Sequence, residues 1–167
     1  MNILKANDSQ ECIKILKKQK YRQIGYGAFS RVFAKSKKSR YVYKVNCEHD
    51  NSLLYLNWVK RSKNKYGPKI VYIKKFKDGT YVVKMERLYK CTQKEYRMAC
   101  EASYSEIYSD WWGYTYYNKE QIENRFPGIF TFFKSYNKKF KSIDMHSGNI
   151  GKRRNNQLVI FDPYVED

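Results

Sequence analysis

The chain has 167 residues, enough for one domain or for two small lobes. Its 42% hydrophobic and 17% aromatic content is ample for a core and excludes a disordered chain. Thirty-four Lys and Arg against sixteen Asp and Glu give a formal charge of +18, which suits either a polyanion-binding surface or a solvated basic coat.

No run of 18 apolar residues exists, and the N-terminus lacks the basic start, apolar stretch and small-residue site of a signal peptide. Neither a membrane span nor secretion is expected. Cys12, Cys47, Cys91 and Cys100 form no C-x-x-C pair and have no histidines at zinc spacing, so they read as reduced thiols of a cytoplasmic protein.

Apolar residues at helical spacing predict a helix over 3–18, with Asp8 or Ser9 as its N-cap. From Tyr21 the pattern changes to short Val-, Tyr- and Phe-rich runs, "YRQIG", "RVFAKS" and "RYVYKVN", read as three antiparallel strands. "NSLLYLNWVKRSKN" returns to helical periodicity. "KIVYIKKF" and "YVVKMERL" then form a hairpin around Asp78-Gly79. The second half reads as helices over about 93–109 and 119–141, the latter interrupted at Pro127-Gly128, followed by a strand from Leu158 to Phe161.

Four features carry chemistry through their order. "IGYGAFSRV" joins two strands with Gly25 and Gly27 in a G-x-G-x-x-S-x-V pattern, where glycines let the backbone approach phosphates. Lys44 lies on an otherwise apolar strand, so its ammonium must reach an anion or the sheet edge. "SIDMHSGN" gives Asp144-x-x-x-x-Asn149. "VIFDP" ends an apolar strand in Asp162, thirteen positions on, where an acid and an amide together suit Mg²⁺.

This serial layout resembles the protein-kinase fold, and "DMHSGN" with "DP" resembles the early protein kinases of T7-like bacteriophages. It is more distantly similar to the D-x-H-x-x-N loop of aminoglycoside and choline kinases. The resemblance runs from about Tyr21 to Pro163. It implies an α+β, two-lobe, kinase-like fold in a single domain, with an N-terminal helix (1–20), a five-stranded antiparallel N-lobe with one helix (21–90) and a truncated, mostly helical C-lobe (91–167). It also implies ATP and Mg²⁺ as cofactors and phosphoryl transfer to Ser/Thr of proteins.

Carried over by residue, the resemblance puts Gly25, Gly27 and Ser30 over the phosphates and Ile24 and Val32 above the adenine. Lys44 meets the α- and β-phosphates, with Asp50 as its acidic partner and Glu48 in reserve. Met85 is the gatekeeper, and backbone groups of Glu86 and Leu88 read the adenine edge. Asp144 is the catalytic base, Asn149 and Asp162 hold Mg²⁺, and His146 and Gly148 are loop architecture.

Three departures stand out. Ser142-Ile143 replace the usual His-Arg, Pro163 replaces the glycine-bearing end of Asp-Phe-Gly, and no activation segment follows Asp162. The missing part of the large lobe would be supplied by a second copy, by the N-terminal helix or by the aromatic insert "SDWWGYTYYN" (109–118), whose other reading is packing under the helices. The expected partners are host proteins of transcription or RNA processing in the host cytoplasm. Autophosphorylation, a homodimer and nucleic acid on the basic surface, "GKRRNN" included, are further expectations. A small-molecule kinase and a basic pseudokinase that blocks a host nucleic-acid enzyme stay open as alternatives.

Overall fold

The computed structural model describes residues 2–48, 51–107, 116–140 and 142–163. The chain divides into two compact units, one of residues 1–53 and 68–87, the other of residues 54–67 and 88–167.

The first unit is a five-stranded antiparallel sheet of β1 (Arg22–Tyr26), β2 (Ser30–Ala34), β3 (Tyr41–Asn46), β4 (Ile70–Lys75) and β5 (Tyr81–Glu86), in the order β1-β2-β3-β5-β4. All five predicted strands are present. The β4–β5 turn closes as expected, with Asp78 Oδ1 accepting the Thr80 N–H and hydroxyl at 3.0 and 2.7 Å.

Alternation sends Phe33, Tyr43, Val45 and Val82 to one face of the sheet, and α1 (Ser9–Lys18) covers it with Cys12, Ile13, Ile15 and Leu16. The predicted 3–18 helix is broken: a 3-10 turn over Ile3–Lys5 precedes α1, because Asp8 caps α1 by accepting the Glu11 N–H at 2.7 Å. Lys74 Nζ ties that turn to the sheet by donating to the carbonyls of Leu4 and Ala6.

The second unit contains most of α2 (Ser52–Ser62), together with α3 (Gln93–Ile107), α4 (Lys119–Arg125), α5 (Ile129–Asn137) and a hairpin of β6 (Ile150–Lys152) and β7 (Leu158–Ile160). Its core is aromatic. Tyr55 and Trp58 of α2 stack among Phe132, Tyr136 and Phe140, with ring centroids 5.7–6.2 Å apart. That packing places residues 54–67 with the helices, whereas the sequence division ran the sheet lobe on to residue 90.

The helix expected over 119–141 is two helices. Gly128 starts α5 with φ +79°, a left-handed conformation that residues with side chains adopt only rarely, and Pro127 beside it removes a helical donor. Residues 109–115 of the aromatic insert, and Asp50, lie outside the described residues. No described helix is long and apolar enough to cross a membrane.

Candidate active site

The sheet unit gathers one group of predicted residues. Opposite the α1 face, the register aligns Val32, Lys44 and Val83 across three strands, with Ser30 and Met85 on the same side. Lys44 is 5% exposed in this apolar row, so its cation belongs to the interior of that face. Gly25 stands opposite Val32 next to a β-bulge at Ile24, and a Cβ there would sit 3.7 Å from that of Val32, on the same side as Lys44. Ile24 itself is exposed. The loop closes through the Gly27 N–H on the Ser30 carbonyl at 2.8 Å.

The acidic partner chosen for Lys44, Asp50, lies outside the described residues, and the reserve, Glu48, is exposed just beyond β3. Of the adenine-reading groups, the Glu86 N–H is committed to the sheet through Lys69 O at 2.9 Å, and the Glu86 carboxylate accepts the Lys69 N–H at 2.8 Å. The Glu86 N–H is therefore spent on the sheet and does not serve that role. Asn46, two residues beyond Lys44, went unnoticed in the sequence. It is fully buried on the Lys44 face, and its Nδ2 has no hydrogen-bond partner among the described residues.

The helical unit gathers the second group. The loop from Ser142 to Asn149 is fixed from several directions: the Asp144 N–H donates to Pro163 O at 2.7 Å, and Tyr136 donates its hydroxyl to Ser142 O and Pro163 O. From α3, the Tyr96 hydroxyl and the Cys100 thiol both reach Met145 O. Burial, with the neighbouring Cys100, Tyr104 and Asp144, raises the Tyr96 hydroxyl to about 12, so it stays a donor at any physiological pH. Burial raises the Cys100 thiol to about 11. These are inert structural thiols, and all four cysteines are unbridged.

Within this loop Asn149 is buried, and its Nδ2 donates to Asp144 twice, to the carbonyl at 3.0 Å and to Oδ2 at 3.2 Å. The amide nitrogen is thereby spent, and the amide oxygen accepts nothing from the described residues. His146 turns back on itself. Its Nδ1 accepts the Gly148 N–H at 2.9 Å, which leaves the proton on Nε2, 3.3 Å from Asp144 Oδ2. A Cβ at Gly148 would lie 2.5 Å from the imidazole, so a larger residue there would push His146 out of this position. Oδ2 therefore takes both donors, and Oδ1 of Asp144 is left for an incoming hydroxyl.

Asp162 follows β7, and its Oδ1 is shielded from water. The Phe161 N–H donates to Asn149 O at 2.9 Å, which ties the backbone next to Asp162 to that of Asn149. Among the described residues no three His, Cys, Asp or Glu side chains cluster for a metal. A cation here would be held by the Asn149 amide oxygen and the Asp162 carboxylate, with the rest of its shell from phosphates and water. Two hard oxygens fit Mg²⁺ in that manner.

The tract "GKRRNN" lies in the β6–β7 hairpin, but Arg153 is not available as a surface cation. Its guanidinium donates to Lys65 O at 2.6 Å and Gly67 O at 2.9 Å. Arg154 is held by the Tyr89 hydroxyl at 3.0 Å.

The sequence matches the family described as "Bacteriophage T7 protein kinase 0.7" over residues 3–165. No curated protein matches the chain. Among solved structures, "PpkA-294 apo form" superposes with a TM-score of 0.50 at 11% identity, over 84% of this chain and 56% of that one. An aminoglycoside phosphotransferase APH(4)-Ia variant, in a ternary complex with AMP-PNP and hygromycin B, gives 0.35 at 20% identity over 57% of this chain and 35% of its own. The apo form of that enzyme gives 0.36 at 18% identity. The chain spans about half or less of the length of the solved structures it matches.

Proposed function

We propose, from the premise that this chain belongs to the bacteriophage T7 protein kinase family and is thereby a phage-encoded serine/threonine protein kinase, that it transfers the γ-phosphoryl group of ATP to protein hydroxyls with Mg²⁺. The observation that carries the mechanism is the sorting of oxygens at Asp144: Oδ2 meets Asn149 and His146, and Oδ1 takes neither donor, which supports a reading in which it receives the substrate proton.

In the transfer, the substrate oxygen bonds to the γ-phosphorus as the bond to the β–γ bridging oxygen breaks, and the hydroxyl proton passes to Asp144 Oδ1. Bound Mg²⁺ would neutralise charge on the phosphates. Asn149 Oδ1 and Asp162 would hold it, and Lys44 would meet the α- and β-phosphates beneath the Gly25–Gly27 loop. The protein's share is positioning and fixed charge, which is why amide, ammonium and carboxylate suffice without a strong nucleophile.

The proposed substrates are host proteins of transcription or RNA processing in the host cytoplasm, a setting in keeping with four unbridged thiols. Incubation with labelled ATP, Mg²⁺ and a host extract tests this reading. Label in protein bands, lost in Asp144→Asn and Asp162→Asn, is expected. Label confined to small metabolites would favour a small-molecule kinase. No transfer at all, with host-protein capture unaffected by either substitution, would favour a binding module.

A further inference from the structure

Basic charge is concentrated in the sheet unit, which holds 18 of the 34 Lys and Arg but 6 of the 16 Asp and Glu. Its placement there follows from the strand order. In an antiparallel sheet the start of one strand lies beside the end of the next, and the register sets Arg22 opposite Ala34, Tyr41 opposite Glu86 and Ile70 opposite Met85. The residue at or flanking each of these five ends is a cation: Arg22, Lys35, Arg40, Arg87 and Lys69. The opposite end carries the glycine loop, Glu48 and Asp78.

Between Lys35 and Arg40, the turn "SKKS" adds Lys37 and Lys38, and it is held in shape. The Ser36 N–H donates to Ser39 Oγ at 2.9 Å, the Lys38 N–H donates to Ser36 Oγ at 3.2 Å, and Arg87 Nη1 donates to Ser36 O at 2.9 Å. Among the described residues, none of Lys35, Lys37, Lys38, Arg40 and Lys84 pairs with a carboxylate. Aromatic rings are interleaved with this charge. The half-buried Tyr41 ring lies 5.4 Å from the Arg40 guanidinium and 5.8 Å from Lys84 Nζ, and Lys84 also lies 5.7 Å from the Tyr43 ring.

We infer that this end of the sheet binds single-stranded nucleic acid, with the turn lysines and Arg40 on phosphates and Tyr41 against a base. A solvated basic coat needs neither an ordered turn nor rings between its cations. An acidic protein face would use the charge but not the ring. Nucleic acid uses both, because every base has a π-face and every linkage a phosphate. Such a surface would bring the kinase to protein substrates that travel with RNA. It stands independently of the phosphotransfer reading, since binding is measured without ATP.

The test is fluorescence anisotropy of a labelled 12-nucleotide oligo(U) with the full chain over a salt series. With about four phosphates neutralised, affinity should fall roughly 50-fold between 50 and 200 mM salt. The Lys37→Glu/Lys38→Glu variant should bind at least about tenfold more weakly with a shallower salt slope. Lys75→Glu/Lys77→Glu, an equal charge change at the opposite end of the sheet, should lose much less. Tyr41→Leu should weaken binding about fivefold with the slope kept. Unchanged thermal unfolding midpoints would certify the folds of the three variants. Equal losses in the two charge variants would overturn the surface in favour of diffuse attraction. Full affinity in Tyr41→Leu, or competition by polyglutamate as strong as by unlabelled RNA, would overturn nucleic acid in favour of an acidic protein.

Discussion

The Tyr55 hydroxyl donates to the carbonyl of Ile160 at 2.6 Å, joining α2 to the strand that ends just before Asp162 across 105 residues of sequence. Burial, and after it the neighbouring Tyr136 and Asp162, pushes this phenol far above its usual range, so it is permanently a donor. Tyr55→Phe keeps the ring packing and leaves a buried carbonyl unpaired. A loss of about 1–3 kcal/mol is expected in denaturant unfolding. Phosphotransfer should fall as well, because Ile160 fixes the approach to Asp162; an unchanged kcat would mean that the strand is positioned by other contacts.

In the proposed mechanism His146, 3.3 Å from Asp144 Oδ2, would act through Asp144 as a positioning residue. His146→Ala should lower kcat about tenfold with KM for ATP little changed, since only the orientation of the base is disturbed. His146→Asn, which restores an N–H donor, should recover part of the loss. Equal rates in the two variants would show that the imidazole donor does nothing for the base.

Glu95 gives the helical unit a defined sensitivity to acid. Burial alone would raise its carboxyl, but the Thr92 N–H, Arg125 and Lys152 outweigh it and hold the group at about 2. A carboxyl held below its unfolded value of 4.5 stabilises fully above that value and loses its contribution as pH falls from about 4.5 toward 2. Glu95→Gln should therefore be less stable at neutral pH by about 2–3 kcal/mol and flatter across that acid window. Parallel stability–pH curves for the two proteins would contradict the assignment.

The N-terminal helix is part of the sheet unit. Leu16 is fully buried against the sheet, and Leu16→Ala should cost about 2–5 kcal/mol in unfolding free energy. Cys12, whose thiol burial pushes up to about 12, should resist alkylation in the native wild type and become reactive in the same denaturant range in which the sheet unfolds. Early alkylation would show α1 detaching on its own.

Local chemistry made much of this readable. Short Val-, Tyr- and Phe-rich runs between turn signals located all five strands of the sheet, of the expected caps Asp8 and Ser9 it is Asp8 that takes that place at the start of α1, and Pro127-Gly128 announced the break between α4 and α5. The spacing of Asp144 and Asn149 placed both in one loop, because five residues can hardly do otherwise. What stayed hidden depends on groups distant in sequence. Arg153 looked like part of a surface charge run, yet its donors are taken by carbonyls 86 and 88 positions earlier. Tyr55 and Trp58 looked like any apolar helix face until the aromatic residues of α5 came to meet them.

The same division holds for function. Residue types and short spacings, through the family resemblance they carry, nominated the side chains proposed for phosphate, metal and proton, because those chemistries need particular atoms. Tertiary structure alone decided that Asn149 spends its amide nitrogen on Asp144, that His146 takes the same carboxylate oxygen, and that five scattered cations flank one end of a sheet. Each of these is a matter of direction in space. Direction is set only when strands reverse and loops close upon partners that the linear order keeps far apart.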